Sequence, residues 1–299
     1  MYHGMINVYK EAGYTSHDVV ARLRGICKQK RIGHTGTLDP DAVGVLPVCL
    51  GNGTRLCDML QERDKEYIAD FRLGITTDTQ DISGTVLAEK DADMNAEEVE
   101  RAAAFFVGEY LQLPPMYSAL KVGGKKLCDL AREGKEVERR PRPVTVYSLE
   151  FLKKEHPCYT IKVACSKGTY IRTLCHDIGQ RLGCGGVMTA LVRTRAGGFG
   201  IEEALTLDKL EEMEKAGSLL EAVIPVEKMF GALPAVFVKE SGFKALKNGN
   251  QLKDAEVSEV PAGTEVRMYN HQGVFYGVFR RDAERGLFLP VKMFFPGQE

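Results

Sequence analysis

No run of 18 apolar residues occurs in this 299-residue chain, so a membrane-spanning helix is not expected. The opening MYHGMINVYKEAG lacks the apolar core of a signal peptide, and the expectation is a cytoplasmic protein that engages no membrane. Its eight cysteines, at 27, 49, 57, 128, 158, 165, 175 and 184, form no CxxC pair, and its six histidines complete no zinc spacing. Reduced thiols are expected, with Cys165, Cys175 and Cys184 in the core, and no metal site. Internal repeats and low-complexity tracts are also missing. So is an excess of one charge: the formal net charge is −1, which argues against an indiscriminate polyanion binder.

What the chain does have is local charge. Between Lys121 and Arg142 eight basic residues stand against four acidic ones, whereas Glu202 to Glu221 carries seven acids and two lysines. The molecule therefore has sides, and on charge alone the basic segment reads either as a solvated face or as a phosphate-contacting surface.

Residues 33 to 47 read GHTGTLDPDAVGVLP, with Asp39 set between a glycine-hinged turn and Pro40. Gly33 and Gly36 can take positive φ and let backbone approach a ligand, while Pro40 fixes its own φ and keeps Asp39 extended. His34, Thr35 and Thr37 add polar function just before the apolar Val43 to Leu50 stretch. Polar groups beside a core need partners or a task. Taken alone, the segment reads either as a tight turn capped by an Asp side chain or as a loop presenting a nucleophile.

Elsewhere, α and β patterns mix. Thr15 with Asp18, and Asn95 with Glu98, have capping-box spacing and open helices whose apolar sides carry Val19, Val20, Leu23 and Ile26, then Val99, Ala102, Ala103 and Phe106. YIADFRLGI from Tyr67 and YTIKVACS at 159–166 alternate as half-buried strands, and 168–183 predicts a helix placing Tyr170 and Arg172 at its start. The uneven blocks predict an α+β fold, a mixed, largely antiparallel sheet flanked by helices. After a boundary in Pro225–Pro234, short strand-like runs between glycine turns, with one helical piece at Ser241–Lys247, predict a small, mostly β domain over 231–299.

GHTGTLDPDAVGVLPVCLG, DKEYIADFRLGITTDTQD with Gly84, PPMYSALKVGGKKL, KGTYIRTLCHDIG and LVRTRAGGF stand in an order and spacing that resemble the bacterial tRNA pseudouridine synthase B family. The resemblance runs from about Ile6 to the end. It departs at Glu11, where the family usually has proline, and at the tail it rests only on KNGNQL and the strand pattern. The fold it implies is the pseudouridine synthase fold over 1–230, with an RNA-binding insertion at about 114–143 and a C-terminal PUA-like domain.

The implied activity is isomerisation of uridine 55 in the tRNA T-arm, with no cofactor and no obligatory protein partner. On this resemblance Asp39 is the nucleophile. Arg172 is its ion-pair partner, expected to lower the carboxylate pKa. Tyr67 stacks on the base and handles the C5 proton, Tyr170 walls the pocket, Leu191 gives an apolar base contact, and His34 fills space beside the flipped nucleotide. Gly36 and Thr37 border the substrate; Lys10, Lys121 and the rest of 121–142 contact RNA. The glycines Gly123, Gly124 and Gly134 imply that 122–140 is loosely ordered without tRNA.

Two other classes compete. DPDAV formally fits an aspartyl-phosphate phosphatase signature, but KRIGHTGTL before it is basic and glycine-broken rather than an apolar strand. A non-catalytic RNA-binding module could use the basic segment and tail, yet would have no need for Asp39, Arg172 and Tyr67 together. Asp78 to Glu89 fails as a calcium loop because Gln80 and Ile82 occupy ligand positions.

Overall fold

Thr15 and Asn95 start helices for the same reason: each side chain accepts the backbone N–H three residues on, and the acid there accepts the cap's own N–H. The Thr15 pair spans 3.1 and 2.8 Å and the Asn95 pair 3.0 and 2.8 Å. These caps open α1 (Ser16–Ile26) and α2 (Ala96–Ala104) as the spacing predicts. In this computed structural model the described residues are 1–259 and 264–295.

Eight strands build most of a large sheet: β1 (Gly4–Lys10), β2 (Ile32–His34), β3 (Val43–Leu50), β4 (Lys65–Leu73), β5 (Gly108–Gln112), β6 (Arg142–Glu155), β7 (Cys158–Cys165) and β8 (Gly186–Ala196). Their order is β1-β3-β8-β4-β7-β6-β5, with β2 on β3 and a short Phe199–Gly200 strand on β8. All pairings are antiparallel except β3 with β8, which run parallel where Val43 and Gly44 meet Val192 and Arg193. The sheet is thus mixed and largely antiparallel, as expected. Gly44 permits the parallel junction, because a Cβ there would lie 2.3 Å from the Arg193 carbonyl oxygen.

Alternation along β4 buries Tyr67, Ala69, Phe71 and Leu73 on one face, where they pack with α2 and with α3 (Ile171–Arg181). Along β3, Leu46, Val48 and Leu50 face α1 and α4 (Leu207–Lys215), while Val45 and Cys49 point the other way. Each such side chain contributes about 1.5–3 kcal/mol when fully buried, so both faces of β3 hold it rigid.

The C-terminal unit is a curled five-stranded sheet, PUA-like, in the order Ala235–Phe237, Glu265–Tyr269, Phe275–Asp282, Leu287–Met293, Leu252–Lys253, around its own core of Val236, Leu246, Phe279 and Phe288. Its helix is shorter than expected, Phe243–Lys247, because Glu240–Gly242 winds as a 3₁₀ turn. Phe294 and Val278 of this unit share a cluster with Met5, Val45 and Cys49 of the large sheet. Arg55 latches the seam, donating to the Met293 carbonyl at 3.0 Å with its guanidinium 5.3 Å from the Phe295 ring. Residues 296–299, within the expected 231–299 domain, lie outside the described residues.

Candidate active site

The segment between β2 and β3 is pinned from behind so that one side chain faces out. Leu38 is buried and exchanges two hydrogen bonds with Ser16, its N–H donating to Oγ at 2.9 Å and its carbonyl accepting at 3.3 Å. Ala42 N–H closes a turn on the Asp39 carbonyl at 3.1 Å. Asp39 is left with its side chain 39% exposed, between buried Leu38 and exposed Pro40. Asp41, the second carboxylate of a phosphatase signature, is exposed, and its charge adds to the rise in the Asp39 pKa. Gly33 takes no positive φ; a Cβ there would sit 3.3 Å from the Cys57 Sγ, so close packing is what its bareness serves.

Two buried cations hold the loop. Lys10 has no exposed surface and donates to the carbonyls of Glu11 (3.1 Å), Pro40 (2.9 Å) and Ala42 (2.6 Å), and burial lowers its ammonium to about 8. The expectation that Lys10 touches RNA is therefore corrected: all its donors are turned inward. Arg193, 1% exposed, donates to Val45 O at 2.7 Å, Gly36 O at 3.2 Å and Thr37 O at 3.4 Å.

Arg172 comes from the first turn of α3. That helix starts at Ile171 rather than 168, because 166–169 forms a turn in which Thr169 Oγ1 donates to the Ser166 carbonyl at 3.0 Å. Tyr170, its N-cap, makes no side-chain cap; instead Gln112 of β5 accepts Tyr170 N–H at 2.8 Å and donates to its carbonyl at 3.0 Å. With the helix start so held, Arg172 Nη1 lies 3.1 Å from Asp39 Oδ2 and 3.5 Å from Asp81 Oδ2, and Nη2 donates to Tyr117 O at 2.6 Å. Two carboxylates thus compensate a cation that opposes the helix dipole. The expected lowering of the Asp39 pKa is overtaken: burial pushes it above the usual carboxylate value, with Arg172 opposing and Asp81 adding to the rise.

Asp81 is delivered by a loop anchored at both ends. Gln80 adopts φ 66°, its side-chain oxygen accepts from Thr173 Oγ1 of α3 at 2.7 Å, and its carbonyl accepts from Met188 N–H at 3.2 Å. Ile82 N–H returns to Met188 O at 2.9 Å.

The remaining expected residues fall as follows. Tyr67 is buried on β4 opposite Arg193; burial raises its pKa and the nearby Arg193 guanidinium opposes the rise. Tyr170 is half-buried with its ring 5.9 Å from the Arg172 guanidinium carbon. Leu191, half-buried on β8, packs against the cluster containing Leu38, Ala42 and Tyr67. His34 stands edge-on to His17 at 5.4 Å and accepts from Gly36 N–H at 3.3 Å; burial lowers it to about 4, so it is neutral at pH 7. Thr37 is exposed, while the Gly36 carbonyl is turned in to Arg193. Lys121 lies apart, exposed in a Lys121–Val122/Lys125–Lys126 hairpin followed by a Leu127–Arg132 helix, with Gly123 and Gly124 at the tip. Sequence reasoning passed over Arg193, Asp81 and Gln112; the available signals were two arginines, Arg193 and Arg195, in the strand-like VMTALVRTRA run and a second acid in DTQD.

A carboxylate salt-bridged to a helix-borne arginine, flanked by tyrosine rings on a mixed sheet that carries a small β domain, defines the pseudouridine synthase class of RNA-modifying isomerases. Comparison with known proteins agrees. Residues 24–171 match the TruB family pseudouridylate synthase N-terminal domain and 172–231 the tRNA pseudouridylate synthase B C-terminal domain. The chain is 48% identical to tRNA pseudouridine synthase B of Lachnoclostridium phytofermentans, covering 98% of this chain and 99% of that one, and 40% identical to that of Alkaliphilus oremlandii, covering 97% of each. Among solved structures it superposes on a chain of a Cbf5-Nop10-Gar1 complex with TM-score 0.73 and 30% identity, covering 98% of this chain and 85% of that one. A chain of an H/ACA RNP bound to a substrate RNA containing 2'-deoxyuridine gives 0.71 and 28%, covering 98% and 86%. The chain belongs to the TruB family of tRNA pseudouridine synthases, and its activity is isomerisation of uridine in tRNA.

Proposed function

We propose that this enzyme converts uridine 55 in the T-loop of tRNA to pseudouridine in the cytoplasm, working on the T-arm without an obligatory protein partner. The observation that carries the reading is the Asp39 carboxylate held 3.1 Å from Arg172. The target nucleotide flips out of its loop, because Asp39 cannot reach a stacked base. His34, neutral beside the loop, occupies the space it vacates, and Thr37 and Gly36 border it. The uracil lies against Tyr67, Tyr170 and Leu191.

Asp39 then forms a transient covalent adduct, the N1–C1′ bond breaks, and the base turns within the closed site. A C5–C1′ bond forms, the bond to Asp39 breaks and frees the carboxylate, C5 loses its proton in the vicinity of the Tyr67 oxygen, and N1 gains one. Atoms balance without a co-substrate. Arg172 favours the ionised carboxylate and fixes its direction, offsetting part of the penalty of burial. Lys121 and the basic 121–142 segment grip backbone phosphates, and the PUA-like domain binds RNA farther along.

Asp39→Asn is expected to bind tRNA as the native enzyme does and to form no pseudouridine, read by carbodiimide mapping of a treated transcript. Modified uridine 55 in that experiment would overturn the assignment. Modification elsewhere by the native enzyme would overturn the T-loop position alone.

A further inference from the structure

Among the described residues Arg193 is the largest fully buried side chain, and no carboxylate among them lies within salt-bridge distance of it. A guanidinium removed from water without a counter-charge is expensive, and such departures from ordinary packing cluster where geometry matters. The donors are all directed at one object. Nη2 and Nη1 hold the carbonyls of Gly36 and Thr37, on the N-terminal side of Asp39, and Nε holds Val45 on the C-terminal side. Arg193 is the cross-strand partner of Tyr67, and holds its guanidinium near enough to that residue to oppose the rise in the tyrosine pKa. Its backbone forms the parallel junction with Gly44. One rigid fork therefore holds both arms of the loop that carries Asp39 and stands beside the strand position of the ring proposed to lie on the base.

We propose that Arg193 is a positioning residue that fixes the distance and direction between Asp39 and the Tyr67 ring. The inference rests on the proposed roles of those two groups. A lysine keeps the charge but gathers its donors on one nitrogen, so it cannot span Gly36, Thr37 and Val45 together. A misplacement of about 1 Å in a reacting group can cost about 100-fold in rate.

The test compares Arg193→Lys with native enzyme for kcat, KM for tRNA and melting temperature. A kcat lowered about 100-fold, with KM changed less than about threefold, supports positioning. An unchanged kcat overturns it, as does a parallel loss of kcat, binding and melting temperature, which marks a merely structural role. A second arm uses Arg193→Ala supplied with millimolar guanidinium chloride. Recovery of kcat by guanidinium, and not by matched sodium chloride, supports the proposal; no recovery in a variant that still binds tRNA overturns it. Asp39→Asn run alongside separates the two ideas. If that variant turns over, the nucleophile reading fails; if it is dead while Arg193→Lys is fully active, only the positioning role fails.

Discussion

Asp39 shows how a single group's surroundings set a working pH range. Burial raises its pKa above the ordinary carboxylate value and Arg172 only partly opposes this, so the ionised, reactive form is lost on acidification earlier than for an exposed aspartate. The stability sign is opposite. A carboxyl whose folded pKa is raised binds its proton more tightly in the fold, so acidification through that window favours the native state at this position. The acid limb of a kcat/KM profile is therefore expected above pH 3.8 while circular dichroism stays native, and Arg172→Met should move the limb to higher pH. A limb at or below the ordinary aspartate value would contradict this. The expected RNA contact failed at Lys10 because only the packing of β1 behind the loop shows its donors spent on carbonyls.

Elements were most legible where their cause is local. Both capping boxes were visible because Thr15 and Asp18, or Asn95 and Glu98, act within four residues, and the alternation in β4 and β7 sits in consecutive side chains. The start of α3 was misread by three residues because the backbone of its N-cap, Tyr170, is held by Gln112, 58 positions away. The β3–β8 junction and the fork of Arg193 were invisible for the same reason: each joins positions nearly 150 residues apart. The loop around Asp39 stood out by its own residues, the roles given to Asp39, Arg172 and Tyr67 came through resemblance, and Asp81 escaped because nothing near it in sequence shows that it shares Arg172. The 121–132 hairpin and helix are small, and Gly123, Gly124 and Gly134 have left-handed backbones with open space around them. Amide exchange across 122–140 is expected to be fast in free enzyme and strongly slowed by tRNA. Equal protection in both states would remove the case for closure onto RNA.

At the scale of the molecule, a net charge of −1 means that affinity for a polyanion depends on arrangement rather than total charge. Binding to tRNA should weaken steeply with salt, and replacing Lys121 by alanine should flatten the log–log salt slope by about 1. An unaltered slope would take Lys121 off the phosphate path. The acidic α4 is braced by Arg22 and Lys28 of the α1 region, which keeps its charge bound up on its own side. The backbone around the nucleophile makes a subtler contribution. The carbonyls of Gly36, Thr37, Leu38, Asp39, Pro40 and Ala42 are all engaged by donors of the protein itself: Arg193, Ser16, a turn amide and Lys10. Oxygen lone pairs are thereby drawn inward, and an incoming phosphodiester meets little negative potential from the loop backbone, what remains coming from side-chain carboxylates such as Asp39 and the exposed Asp41.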